Sequence, residues 1–329
     1  MGNHQIDYQN VFKVNGDKIS VKRALELIIQ AGNIAMKYYN SKNYTIEDKG
    51  AKDLPPSCSP RQLVTNADKE VQAYLEKTLT EFTPNIPFLG EEGKKNLTHI
   101  EGAQWQCDPI DGTRFFVGKS ELKSTGEEHL EGQFTIHLAL IDEKGEPVWG
   151  GVYAPAYGEL FFNDAHDSAV FVKFNDNNNE IRSLASIKEG LTFKRDEDGL
   201  HRIGKSEDKV SLQDLEKVFS FGTPKSDGSM LKAIGVAAGQ KDFNFYDRFA
   251  LFEWDSSAAQ AILKAVGGDI LKIRLDLHTG EEVSSPLHTG HERAINYQNP
   301  FKPAYSGGVF HTQPKEPWQF LKIRGRRNR

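Results

Sequence analysis

Asp108-Pro109-Ile110-Asp111-Gly112-Thr113 sets two carboxylates three residues apart in a stretch that excludes regular helix. Pro109 fixes its own φ, disfavours the helical region for Asp108 and donates no N–H. Gly112 permits a tight backbone after the second acid. Just upstream, Trp105-Gln106-Cys107 reads as the end of a short strand. Carboxylates leaving a strand end on a stiff turn suit the capture of a hard cation such as Mg²⁺ by oxygen alone. Two further acidic features accompany this stretch. The apolar run Ile86 to Leu89 ends in Gly90-Glu91-Glu92-Gly93, and Glu253-Trp254-Asp255 opens a segment with apolar Ala258, Ala261, Ile262 and Ala265. That spacing predicts a helix, stopped by Gly267-Gly268, with Asp255 in a first turn where the dipole favours a carboxylate. Each feature also has a plainer reading. Asp-Pro and Asp-Gly are ordinary turn dipeptides, Glu91-Glu92 suits a solvated loop, and Asp255 suits a simple first-turn acid.

The elements that must position these acids are readable around them. Ser20 is a good N-cap for a helix with Val21, Ala24, Leu25, Ile28 and Ala35 on one face. A second helix is expected from about Asn66, carrying Val71, Leu75, Leu79 and Phe82, with Asp68 in its first turn. Phe134 to Leu140 alternates as a strand, and Pro147 to Ala154 and Glu159 to Phe162 follow as strands. Farther on, Gly228 to Gly239 and Trp254 to Val266 read as helices around a strand from Asp242 to Tyr246. The run Asn175 to Asn179 reads as a loop near a boundary.

In chain order, Leu63-Val64-Thr65-Asn66-Ala67-Asp68, Gly90-Glu91-Glu92, Asp108 to Thr113 and Trp254-Asp255 resemble the motifs of the inositol monophosphatase-like superfamily. These are metal-dependent, lithium-sensitive phosphatases, and the resemblance runs from about Val21 to Phe301. It implies a layered αβαβα fold of mixed α+β and α/β character. It divides the chain into an N-terminal α+β subdomain, residues 1–165, and a C-terminal α/β subdomain, residues 166–329, with a Mg²⁺ cluster between them. It assigns Glu91, Asp108, Asp111 and Asp255 as metal carboxylates, with the Ile110 backbone carbonyl as a further ligand, for two or three Mg²⁺ ions. Thr113 and Asp68 match the pair that positions the attacking water. The backbone N–H groups of Gly112 and Thr113 are expected to hold phosphate oxygens. The implied reaction is in-line hydrolysis of a phosphomonoester without a covalent phosphoenzyme.

Gly228-Ser229-Met230-Leu231-Lys232, followed by Gly239, resembles the Gly-Ser-x-x-Lys helix of 3′(2′),5′-bisphosphate nucleotidases. Ser229 and Lys232 share a helix face and are expected to clamp a second phosphate, with Arg248 adding a cation. Gly132 to Ile141 and Val152 to Pro155 also resemble nucleotidases more than inositol phosphatases. The implied substrate is 3′-phosphoadenosine 5′-phosphate, converted to AMP and phosphate. An inositol or other sugar monophosphatase is the alternative enzyme, and a catalytically silent metal-binding regulatory homologue the alternative of another class; the intact acids argue against the latter. The segment Gly118 to Gly132 is longer than in compact bacterial nucleotidases, and its Glu127, Glu128 and His129 read as a surface loop overhanging the pocket.

Composition agrees with a soluble enzyme of this kind. The 329 residues are 38% hydrophobic and 26% charged, with a formal net charge of −5, so no basic field favours a nucleic-acid polymer. The basic tail from Lys322 to Arg329 reads as a solvated end. Cys58 and Cys107 are too few for a disulfide scaffold and lack zinc spacing. No secretory signal, myristoylation motif or membrane span is read. The expected protein is a cytoplasmic monomer or homodimer acting on a small phosphorylated molecule.

Overall fold

The computed structural model describes residues 10–48, 63–92, 102–118, 122–123, 128–166, 168–174, 180–183, 203–205, 225–226, 230–238, 243–246, 253–276, 282–286 and 304–311. A hairpin of β1 (Val11–Val14) and β2 (Asp17–Ser20) delivers Ser20 to the N-cap of α1 (Val21–Ser41), where its Oγ accepts from Arg23 N at 3.3 Å. The pair β3 (Ile46–Asp48) and β4 (Leu63–Thr65) leads into α2 (Asn66–Phe82). Both helices lay one apolar stripe on a seven-stranded sheet.

That sheet contains β5 (Phe88–Gly90), β6 (Gln104–Asp111), β7 (Thr135–Ile141), β8 (Pro147–Ala154), β9 (Glu159–Asn163), β10 (Ala169–Lys173) and β11 (Glu180–Ser183). The strands lie in sequence order, and all neighbours are antiparallel except the parallel pair β5–β6. Helix α3 (Thr113–Val117) follows β6. The expected boundary at residue 165 falls between β9 and β10 of this one sheet, because the ladder continues through Ser183.

The sheet is buried on both faces, and the alternation of its side chains separates two cores. Trp105, Cys107, Ile110, Ile136, Leu138, Leu140, Leu160 and Phe162 join α1 and α2. Ala139, Ile141, Val152, Phe161, Ala169 and Phe171 join the opposite core. Against that second face lie α4 (Leu231–Ala237) and α5 (Glu253–Ala265). The approach of α5 is close: a Cβ on Gly150 of β8 would stand 2.1 Å from the Ala258 carbonyl oxygen. Glycine is required there because backbone meets backbone.

A second, six-stranded sheet lies beyond these helices. It is built from β12 (Ile203–Lys205), β13 (Lys225–Ser226), β14 (Phe243–Tyr246), β15 (Asp269–Asp276), β16 (Glu282–Pro286) and β17 (Ala304–His311), in the order β13-β12-β14-β17-β15-β16. The architecture is thus the expected layered α/β one, and the described residues supply its first four layers, α–β–α–β. No helix among the described residues is long and apolar enough to cross a membrane.

The strand carrying the two motif aspartates departs from expectation. It runs to Asp111 rather than ending near Cys107. Asp108 stands opposite His137 and Asp111 opposite Thr135, so three steps on β6 match two on β7. Pro109 and Ile110 therefore form a β-bulge, which tolerates a proline that cannot donate to the ladder. The helix expected from Gly228 to Gly239 is assigned over Leu231–Ala237. The predicted sites Ser229 and Arg248, the run Asn175 to Asn179 and the basic tail lie outside the described residues.

Candidate metal and phosphate site

Glu91, Asp108 and Asp255 each bring a carboxylate oxygen to within 4.8 Å of the other two. The first two arrive on neighbouring strands. Glu91 follows β5, and its N–H donates to the Cys107 carbonyl at 3.1 Å, one residue before Asp108. The turn after it is held from α2: Gln72 Oε1 accepts from Glu92 N at 2.7 Å. Gly90 leaves room for that amide, since a Cβ there would meet Gln72 at 2.4 Å. Asp255 comes from the first turn of α5, as expected.

Asp108 is only 2% exposed, and its Oδ1 accepts from Ile110 N at 3.1 Å, which satisfies an N–H that the bulge leaves out of the ladder. Burial, followed by the negative charges of Glu91, Asp111 and Asp255, pushes its carboxyl well above the usual carboxylate range. Such a group must take up a proton or face a cation. The donors are all oxygen, and a hard divalent cation fits them.

Asp111 is not among the three converging acids. Its Oδ2 accepts from Met230 N at 2.7 Å, just before α4, and lies 3.4 Å from His137 Nε2. That nitrogen is also 2.8 Å from Thr135 Oγ1. Burial lowers the His137 pKa, against the opposing effect of Asp111, so the imidazole favours its neutral form. The Ile110 side chain is in the core shared with α1 and α2, leaving its carbonyl on the turn.

Asp68 and Thr113 do meet. Thr113 Oγ1 is 3.2 Å from Asp68 Oδ1 and 3.2 Å from the Ile110 carbonyl, two acceptors for one hydroxyl proton. Asp68 is itself fixed: its Oδ2 accepts from Thr65 N at 2.9 Å and from Thr65 Oγ1 at 2.6 Å, closing a capping box on α2. A proton given to Asp68 leaves the Thr113 oxygen free to accept. Gly112, at φ 81°, turns the chain from β6 into α3, a left-handed conformation that favours glycine. Lys232 lies buried in α4, two residues beyond the N–H that reaches Asp111.

Of the Gly118 to Gly132 segment, the described residues 122–123 and 128–132 are more anchored than a surface loop, and Glu127 lies outside the described residues. His129 is exposed as expected, but Leu122 and Leu130 pack under Phe115 of α3. Sequence reasoning missed Thr65, Gln72 and His137. Only Thr65 carried a local signal, the Thr-x-x-Asp spacing of a capping box.

The inositol monophosphatase family matches residues 18–299. An inositol monophosphatase of Dictyostelium discoideum is 27% identical over 255 residues, 76% of this chain and 84% of that protein. The 3′(2′),5′-bisphosphate nucleotidase CysQ of Buchnera aphidicola is 29% identical over 265 residues, 79% and 85% of the two chains. The inositol-1-monophosphatase of Bacillus subtilis is 31% identical over 237 residues, 70% and 79%. Among solved structures, the Thermotoga maritima IMPase superposes with a TM-score of 0.56 at 21% identity, covering 89% of this chain and 92% of that one. CysQ from Bacteroides thetaiotaomicron gives 0.54 at 22%, covering 89% and 96%. These two establish the fold, and the match over most of the sequence establishes more: the chain belongs to the inositol monophosphatase family of metal-dependent phosphatases.

Proposed function

We propose that the protein hydrolyses the 3′-phosphate of 3′-phosphoadenosine 5′-phosphate, using Mg²⁺ held by Glu91, Asp108 and Asp255, with Asp111 and the Ile110 carbonyl as further ligands. The observation that carries the metal chemistry is the convergence of three carboxylates, one of them buried, beside the Asp68–Thr113 pair. Bound Mg²⁺ would neutralise the phosphate, orient it and lower the pKa of a water. The remaining work falls to the chain. Asp68, fixed by Thr65, takes the Thr113 hydroxyl proton in a hydrogen bond and turns the Thr113 oxygen toward the attacking water. The Gly112 and Thr113 N–H groups hold phosphate oxygens, and the bulge sets Asp108 and Asp111 on one side of β6.

The nucleotide assignment rests on different support. The Gly228 to Lys232 segment resembles the helix of bisphosphate nucleotidases, and the start of α4 abuts Asp111 through Met230 N. That contact puts Lys232 on an element adjoining the carboxylates, where a second phosphate can be recognised; Ser229 and Arg248 complete the proposed clamp. The inositol-phosphatase reading is favoured by the names of two of the three relatives above. Phosphate release from the bisphosphate nucleotide and from inositol 1-phosphate, measured in parallel with Mg²⁺, decides between them. A kcat/KM higher for inositol 1-phosphate would overturn the nucleotide assignment, and no release from either would overturn the phosphatase site.

A further inference from the structure

Gln106 stands two residues before Asp108 on β6, and it is 1% exposed. Both ends of its amide reach α5. Its Nε2 donates to Glu253 Oε2 at 2.9 Å, and its Oε1 accepts from Ser257 Oγ at 2.5 Å. These partners flank Asp255, one two residues before it and one two residues after. They also fix which way the amide faces, since turning it over would set its oxygen against an acceptor-only carboxylate. The sequence separations are 147 and 151 residues, so this one side chain ties the first sheet to the helix that brings the third acid.

We propose that Gln106 is a positioning residue that sets Asp255 against Asp108; this rests on the reading of Glu91, Asp108 and Asp255 as metal carboxylates. Glu253 and Ser257, four apart, share one flank of α5. Asp255 lies about 200° around the helix from Glu253, at 3.6 residues per turn. Holding one flank against Gln106 therefore turns the other toward Asp108, and two attachment points one turn apart block rotation as well as sliding. Such a lock is needed because the acids repel one another before a cation arrives. Glu91 and Asp108 withstand that repulsion through the backbone bonds of β5 and β6. Asp255 rides on a separate helix, outside any strand ladder, although His137 of β7 also meets its backbone. Ala139, the residue of β7 opposite Gln106, shows that apolar packing is available on this face.

The test is Mg²⁺ binding to the metal-free protein by calorimetry, with thermal unfolding recorded with and without the ion. Wild type is expected to bind Mg²⁺ and to gain Tm. Gln106→Leu is expected to raise the Mg²⁺ Kd about tenfold, the lower end for residues that support metal ligands, and to shrink the metal-induced rise in Tm. Ser257→Ala, which leaves β6 untouched, should shift both in the same direction by less. A packing role predicts something else: a lower metal-free Tm with an unchanged Kd in both variants, and that result overturns the proposal. Should Gln106→Leu fail to fold, the Kd of Ser257→Ala decides alone, an unchanged value again overturning it. A wild-type protein that binds no Mg²⁺ would instead remove the metal site on which the proposal stands.

Discussion

Two regions deliver the acids, and they hold them by different means. In the first, Glu91 and Asp108 are carried on adjacent parallel strands, and a main-chain bond from Glu91 N to the Cys107 carbonyl links the two segments. In the second, Asp255 rides on α5, seated by the close approach of Gly150 to Ala258 and by side-chain bonds to Gln106. The main-chain link itself needs no side chain, although Gln72 and Gly90 hold the turn after it, whereas the helix seat rests wholly on side chains and on one glycine. Changes that unseat the helix should therefore harm cation binding out of proportion to the stability they cost.

The largest expected effects come from the acids themselves. Asp108→Asn and Asp255→Asn should each lower kcat/KM by roughly a hundred- to ten-thousand-fold, the equivalent of several kcal/mol of lost charge stabilisation. The two should differ without metal. Asp108→Asn removes a buried charge facing like charges and should raise the metal-free Tm, while the half-buried Asp255 should give a smaller gain. Equal Tm changes would break the contrast between the regions.

Next in size is Lys232→Ala. If Lys232 contacts the non-reacting phosphate, kcat/KM for the bisphosphate nucleotide should fall about 10- to 150-fold, the value of a charge-assisted contact. A monophosphate should lose little, and Mg²⁺ affinity should be unchanged. Equal losses on both substrates would make the lysine structural.

Two stability variants set the regions side by side. Gly150→Ala places a methyl against the Ala258 carbonyl and should cost about 1–3 kcal/mol, as overpacking does, read from denaturant unfolding. Thr65→Ala removes the cap of α2 and should cost about 0.5–2 kcal/mol. Per unit of stability lost, Gly150→Ala should weaken Mg²⁺ binding more, because it shifts the helix carrying Asp255. Thr65→Ala should instead lower kcat with little change in Mg²⁺ affinity, since it releases Asp68. If both variants weaken Mg²⁺ binding alike, the helix seat has no special role.

The smallest effect concerns pH. The Asp108 pKa is raised in the folded protein, so the native state binds that proton more tightly than the unfolded chain does, whose carboxyl titrates near about 3.9. Metal-free stability should therefore rise as pH falls through the raised value, and this gain should level off near the unfolded one. With saturating Mg²⁺ the trend should reverse, because protonation then displaces the cation. Tm against pH, with chelator and with Mg²⁺, checks both signs.

Much of this was legible in the residues. Ser20 and the stripe of α1, the start of α2 and the start of α5 follow from caps and 3.6-residue periodicity, which are local. The acids of the cluster were marked by four short motifs in order. From sequence β6 reads too short because Asp-Pro and Asp-Gly signal turns, and only pairing with β7 shows that the strand absorbs Pro109 as a bulge. The Gln72 and Gln106 contacts left no trace, since an amide bonding a turn or a helix far along the chain has no period. Asp111, grouped by motif with the other acids, accepts from Met230 N and stands beside His137, a placement that only the meeting of β6, β7 and α4 decides.

The bulge also explains why the spacing Asp-x-x-Asp works in an extended chain at all. Side chains on a strand alternate, so positions three apart ordinarily belong to opposite sides. One surplus residue shifts the phase, and Asp108 and Asp111, opposite His137 and Thr135, come to project the same way, while Ile110 is sent into the core shared with α1 and α2. On a ladder in regular step the same two acids would straddle the sheet, one buried among the hydrocarbon of each core.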